Sequence, residues 1–297
     1  MRFDLVDLRL ALNVAEAASI THGAARSSLS LAAASERLRD MEVTLGTPLF
    51  ERHRRGVRPT PAGLALLHHA RQIAHQLEAL RGELGTFAKG LRGRVRVLSN
   101  TAAMLEFLPP LLGPFLANHP RTDVALEERP SPAIVRGIAR GDAEIGIVAD
   151  AVDSAAELET FPFAEDRLVL VTPVRHALAG KRRIAYSDAL AFDLVGLPEG
   201  SALQEHLDGH AARAGRTPKL RVQLAGFEAI CRTVEAGIGV AVVSRSAALR
   251  CRKSMAIRIV PLADPWALRH LRLCVKASAG LPVHAAALLD HLRRSFA

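Results

Sequence analysis

The chain has 297 residues, enough for two or three domains, and 49% of them are hydrophobic, so substantial cores can form. No uncharged apolar run reaches the roughly eighteen residues of a membrane span, and Arg2, Asp4, Asp7 and Arg9 interrupt the first twelve residues where a secretory leader would need an apolar core; the expected location is the cytoplasm. The formal net charge of +9 points to an anionic partner, but residues 1–90 carry 12 basic and 9 acidic side chains and residues 91–297 carry 27 and 21, so charge alone does not locate a nucleic-acid surface.

Leu5, Leu8, Leu12 and Ala15 lie three or four apart and predict one face of a first helix. Ser19 caps a second helix running to about Arg26, in which Gly23 and Ala24 are small enough to let the next helix cross closely. After a Ser27-Ser28 turn, Ser30 caps a third helix whose buried stripe is Ala34, Leu38, Met41 and Leu45 and which Gly46 ends. Its opposite face carries Leu31, Ala32, Ser35, Glu36 and Arg39. Two helices joined by a short turn, the second with a free N-terminal face, can lay that face in the major groove of duplex DNA. Next, Pro48, Leu49 and Phe50 form an apolar hook, and Arg52, Arg54, Arg55 and Arg58 surround Gly56. Arginines on a glycine turn suit a wing that straddles phosphates or enters a minor groove.

Thr60 followed by Pro61 predicts a helix start. Leu66, Ala70, Ile73, Leu77, Leu80, Leu84 and Phe87 then alternate steps of four and three, an a/d seam that predicts dimerisation and hence a roughly two-fold operator. From residue 94 onward apolar strands alternate with helices, which reads as α/β. Strands are expected at 94–98, 122–127, 144–149, 168–172, 194–197, 220–224, 239–243, 257–260 and 270–275, with helices near 105–116, 132–140, 201–214, 227–236 and 283–296. In open α/β sheets ligands bind beyond the carboxyl ends of strands, often at helix N-termini. Ser99, Asn100 and Thr101 occupy one such end, Gly200-Ser201 a second, and Phe227 opens a helix at a third.

No triad, phosphate loop or metal-ligand spacing announces an enzyme, and no cofactor or metal is expected; His68 and His69 face two sides of a helix. The cysteines are Cys231, Cys251 and Cys274, and Arg250, Arg252 and Lys253 flank Cys251 closely enough to favour its thiolate; the alternative reading is a regulator that lacks a small-molecule effector and responds to redox state or to protein partners.

The segments Ser19-Ile20-Thr21 to Ala24, Ser30, Ala33, Ser35, Leu38-Arg39, Glu42, Leu45-Gly46, Pro48 to Arg52 and Thr60 to Gly63 resemble, in register over about 60 residues, the signature of LysR-type transcriptional regulators. The resemblance implies a winged helix-turn-helix over residues 1–60, a linker and dimerisation helix over 61–90, and a two-lobed, periplasmic-binding-protein-like (type 2) α/β effector domain over 91–297, with lobe one at 91–163 and 268–297 and lobe two at 164–267. It implies double-stranded DNA as a partner, contacted by Thr21, Ser30, Leu31, Ala32, Ser35, Glu36, Arg39, Arg52, Arg54, Arg55 and Thr60. It also implies a homodimer or homotetramer built on Leu66, Ile73, Leu77, Leu80 and Leu84, and a small, often anionic effector held by Ser99, Asn100, Thr101, Ser201 and Phe227. The family often has Gln-Pro after the capping serine and a basic residue after the second serine, where this chain has Leu31-Ala32 and Glu36. Glutamine bonds adenine edges bidentately and leucine does not, so the DNA-binding role carries over and the base preference does not.

Overall fold

The computed structural model describes residues 3–53, 56–87, 93–149 and 158–295; the side chains of residues 52, 75, 78, 79 and 81–87 lie outside the described set. The chain divides into two compact units, Met1–Leu84 and Gly85–Ala297.

The first unit contains α1 (Leu5–Ala17), α2 (Ile20–Arg26), α3 (Leu31–Leu45), β1 (Phe50–His53), β2 (Gly56–Pro59) and α4 (Pro61–Phe87). Each early helix starts on a side-chain cap. Asp4 and Asp7 form a reciprocal capping box, and Ser19 and Ser30 accept the amides of His22 (3.3 Å) and Ala33 (3.2 Å). Gly46, in the left-handed region at φ 67°, ends α3. The buried face of α1 is rotated from the expected one: Leu8, Leu10, Ala11 and Val14 are interior while Leu5 is 48% exposed. The cause is that α1 packs against both α2 and α3, which widens and shifts the face it buries. Gly23 does mark a close crossing, but with the preceding helix, since a Cβ there would fall 2.4 Å from Val14 Cγ2. On α3, Ala34, Leu38 and Met41 are buried, and Leu45, in the last turn, is left partly in solvent. Strands β1 and β2 pair antiparallel from Phe50↔Pro59 to His53↔Gly56. Glu42 Oε1 accepts the amides of Leu49 (2.7 Å) and Phe50 (3.2 Å), which fixes the base of this hairpin to α3.

The second unit contains β3 (Gly93–Ser99), a π-helical turn (Ala103–Phe107), α5 (Leu108–Asn118), β4 (Thr122–Glu128), α6 (Ser131–Arg140), β5 (Ile145–Ala149), β6 (Glu159–Pro173), α7 (Tyr186–Ala189), β7 (Asp193–Gly196), α8 (Ala202–Arg213), β8 (Lys219–Gln223), α9 (Phe227–Glu235), β9 (Ala241–Ser244), α10 (Arg245–Cys251), β10 (Ile257–Pro261), β11 (Leu268–Val275) and α11 (Val283–Arg294). The main sheet runs β10-β6-β11-β5-β3-β4, with β9 also on β6. Strand β6 has fifteen residues where the sequence pattern predicts five. Its first part pairs with β11 and its last with β10 and β9, so β6 and β11 are shared between two lobes. Pro162 and the run Glu165-Asp166-Arg167 hide the first part from a hydrophobic pattern. The charge inside it is neutralised locally: Arg269 on β11 grips Asp166 through Nε (3.1 Å) and Nη2, with both side chains buried.

Lobe one has apolar layers on both faces of its sheet, one including Val97, Phe115, Ile145 and Leu288, the other Leu98, Ile134, Ile138 and Val148. Lobe two has a single core around Leu170, Val195, Leu203, Ile230 and Val243.

Candidate functional site

In the first unit the solvent face of α3 is well defined. At about 100° per residue, Ala32, Glu36, Arg39 and Val43 lie opposite the buried Ala34, Leu38 and Met41, and all four are exposed. Leu31, 49% exposed, stands at the start of the helix, Ser35 is half-buried on the side facing Ile20 and Val57, and Thr21 and Ser30 are exposed nearby. Asn13 Nδ2 donates to Ser27 Oγ (2.8 Å), and Ser27 Oγ to Gly23 O (2.8 Å), fixing the turn that presents α3. The other edge of α3 borders a hollow of about 540 Å³ lined by Asp4, Asp7, Glu36 and Asp40 among others. Arg37 lies there too, paired with Asp7 at 2.7 Å. The exposed face of α3 therefore carries one acid and one base, Glu36 and Arg39, and is not strongly basic.

The β1-β2 hairpin carries exposed Arg58. Arg54 and Arg55 lie outside the described residues, as does the side chain of Arg52. Thr60 requires a correction. Expected to face DNA, it is instead buried; its hydroxyl donates to Pro48 O (2.7 Å) and accepts from Gly63 N (3.0 Å), so both roles are taken in capping α4. Along α4, Leu67 and Ala70 are buried in their own unit and Leu66 packs partly against that core, while Leu64, Ile73 and Leu80 are exposed and Leu77 is half-buried. The side chain of Leu84 is outside the described residues.

In the second unit the three residues after β3 have separate tasks. Ser99 Oγ donates to Asn100 O (3.1 Å). Asn100 Oδ1 accepts from Ala103 N (3.0 Å), and its Nδ2 donates to Ile147 O (3.3 Å), so it caps the following turn and ties it to β5. Thr101 alone turns toward lobe two. Its hydroxyl donates to Glu128 Oε1 (2.5 Å) and accepts from Leu203 N (3.0 Å), while Ala202 N donates to that same Glu128 oxygen (3.0 Å). Ser201 caps the same helix, α8, by accepting Gln204 N (3.3 Å). Phe227 differs from expectation: its side chain is 2% exposed in the lobe-two core, because the helix it opens packs inward at its first residue, so it presents no side chain to the cleft. A second contact, centred on Glu106, which no sequence motif singles out, also joins the lobes. Arg250 on α10 donates to Glu106 at 2.5 and 2.8 Å, and Ser246 to Glu106 at 3.1 Å. From Ser246 the contacts continue through Ser244 (2.8 Å) to Asp166 (2.6 Å) and its partner Arg269.

All three cysteines are buried. Burial and contact with Cys251 push the Cys231 thiol up, and burial pushes that of Cys274 up to about 12. Arg250, one of the cations beside Cys251, is engaged by Glu106. A reactive thiolate needs accessibility and a low pKa, and this environment supplies neither to Cys231 or Cys274.

A recognition helix with an exposed face, a hairpin wing beside it and a separate two-lobed α/β module define a DNA-binding transcriptional regulator with a substrate-binding domain. Residues 5–64 match the family described as "Bacterial regulatory helix-turn-helix protein, lysR family" and residues 88–297 match "LysR substrate binding domain". The chain belongs to the LysR family. It is 27% identical over 250 residues, 82% of this chain and 80% of the relative, to a probable RuBisCO transcriptional regulator of Emiliania huxleyi. Its fold matches full-length CbnR complexed with target DNA at a TM-score of 0.64 and 22% identity, covering 99% of this chain and 100% of that one. It also matches the regulatory domain of Synechocystis PCC6803 CcmR in complex with 2-PG at 0.56 and 23% identity, covering 68% of this chain and 96% of that one. No helix among the described residues is long and apolar enough to cross a membrane.

Proposed function

We propose that the protein is a cytoplasmic, sequence-specific regulator that binds duplex DNA as a homo-oligomer built on α4 dimers and is controlled by a small effector between the two lobes. The observation that carries the DNA-binding part is the exposed line Ala32, Glu36, Arg39 and Val43, presented by a rigidly capped helix beside an arginine hairpin. Base edges would be met by Leu31, Ala32, Ser35, Glu36 and Arg39, with Leu31 against a thymine methyl and Glu36 accepting from cytosine. The wing arginines, Arg52, Arg54 and Arg55, would hold phosphates or the minor groove. Effector control is supported by the meeting of the two lobes at Thr101, Glu128 and the start of α8, by the matched substrate-binding family, and by the 2-PG complex of the related fold. An effector acts there through its differential affinity for two lobe arrangements.

The test is binding to genomic fragments at several salt concentrations. Replacing Arg52 and Arg55 with alanine is expected to weaken binding to all sequences alike and to lower the slope of log affinity against log salt by about 2, one for each phosphate no longer neutralised. Unaltered affinity and slope would remove the wing from the interface.

A further inference from the structure

A helix of twelve residues begins with free backbone amides, and in α8 the first three are already filled. The Ala202 amide donates to Glu128, the Leu203 amide to Thr101, and the Gln204 amide to Ser201. Two of these acceptors belong to lobe one. Thr101 hands its own proton to the same Glu128 oxygen that takes the Ala202 amide, so a carboxylate sits at the positive end of the helix in the position where an effector anion would bind. The same pattern recurs at the second contact between the lobes, where Glu106, also from lobe one, takes the donors of Arg250 and Ser246.

We propose that Glu128 is the specificity-determining residue of the interlobe cleft: it acts as an internal anion that occupies the α8 N-terminus and excludes simple carboxylates and phosphates from it. This rests on reading the cleft as the effector site. The exclusion has two causes. A group held on the same folded unit competes at the high effective concentration of a tethered ligand, and a second anion placed beside Glu128 meets like-charge repulsion in a partly desolvated site. The effector of this chain therefore carries no anionic group at this point; it is a neutral or donor-bearing molecule there, able to hydrogen-bond to Glu128 rather than replace it.

The experiment uses the full-length protein, its Glu128→Ala and Glu128→Gln variants, and sodium acetate and sodium phosphate as probes, with sodium chloride matching ionic strength. Amide hydrogen exchange is read at Ala202 and Leu203. In Glu128→Ala exchange is expected to rise at least about tenfold, and tens of millimolar acetate or phosphate to restore protection. The wild type responds to neither anion. Glu128→Gln keeps an acceptor oxygen and stays close to the wild type, which separates loss of the acceptor from general unfolding. Unchanged exchange in Glu128→Ala overturns the proposal, as does a vacated site that takes neither anion. Equal protection of the wild type by acetate overturns it while leaving the cleft as a ligand site. If exchange behaves as expected but a reporter driven by the bound promoter is the same in wild type and Glu128→Ala under every growth condition, Glu128 occupancy stands and the regulatory reading of the cleft falls.

Discussion

Single side chains in lobe two carry a titration signal. His206 and His210 lie on one face of α8 with ring centroids 4.6 Å apart, and His210 stacks on Trp266 at 3.9 Å. His206 Nε2 is buried without a hydrogen-bond partner among the described residues. Burial, then the charges of Arg269, His210 and Arg213, push the His206 pKa down to about 3; burial and Arg213 push that of His210 down to about 4, against a smaller opposing pull from Asp264. Both rings are thus neutral in the folded protein, whereas the unfolded chain takes up protons near pH 6.5. The unfolded state binds more protons below that pH, so the stability these rings contribute is complete above about pH 6.5 and is lost progressively as the pH falls toward 4. Urea denaturation followed by Trp266 fluorescence should show lobe two losing stability between pH 6.5 and 5, with His206 contributing a slope approaching about 1.4 kcal/mol per pH unit. His206→Leu is expected to remove that part of the slope; an unchanged pH profile would mean that His206 is protonated in the fold.

Secondary-structure elements differ in how much they reveal in sequence, and α4 shows why. Its a/d spacing is plain, but spacing does not say which partner each residue meets. Leu67 and Ala70, with Gly63 packed on the Leu49 carbonyl, belong to the first unit's own core, while Ile73 and Leu80 remain in solvent in the single chain. Ile73→Asp with Leu80→Asp is therefore expected to yield a folded monomer by sedimentation, with the thermal midpoint of the isolated protomer little changed. Leu67→Asp, which puts a charge where the side chain is 1% exposed, should unfold the first unit instead. A double mutant that still sediments as a dimer would place the interface elsewhere. The same contrast runs through the rest of the chain. Capping serines, the glycine ending α3 and the arginine hairpin are local signals and are legible in the sequence. The first part of β6 and the inward turn of Phe227 depend on partners far along the chain, β11 and the lobe-two core; the capping role of Thr60 is local and legible in Thr60-Pro61, and only its burial against Pro48 is not. Glu128 and Glu106 are invisible at that level because a carboxylate at a strand end or in a short helical turn is unremarkable until the donor it meets, 74 or 144 residues away, is known.

For the whole molecule, the two units have separate cores. That of the first is formed by Leu10, Val14, Met41, Leu49 and Leu67 among others, and among the described residues none of its members comes from beyond residue 70. The only tryptophan, Trp266, packs on the lobe-two core through His210 and Tyr186, so its fluorescence reports the second unit alone, while far-ultraviolet circular dichroism reports the helices of both. Two-state behaviour is not required of such a chain. Leu10 is fully buried, and Leu10→Ala should cost its unit about 2–5 kcal/mol through reduced burial and the cavity left behind. The expected result is that Leu10→Ala moves the early part of the circular dichroism transition to lower denaturant, abolishes DNA binding at a concentration where the wild type still binds, and leaves the Trp266 transition where it was. Asp166→Asn should do the reverse, because it leaves the Arg269 charge buried and unpaired, at a cost of roughly 3–5 kcal/mol to the second unit. If both substitutions move both signals together, the units unfold as one cooperative body, and the division of the chain near residue 84 has geometric but no thermodynamic meaning.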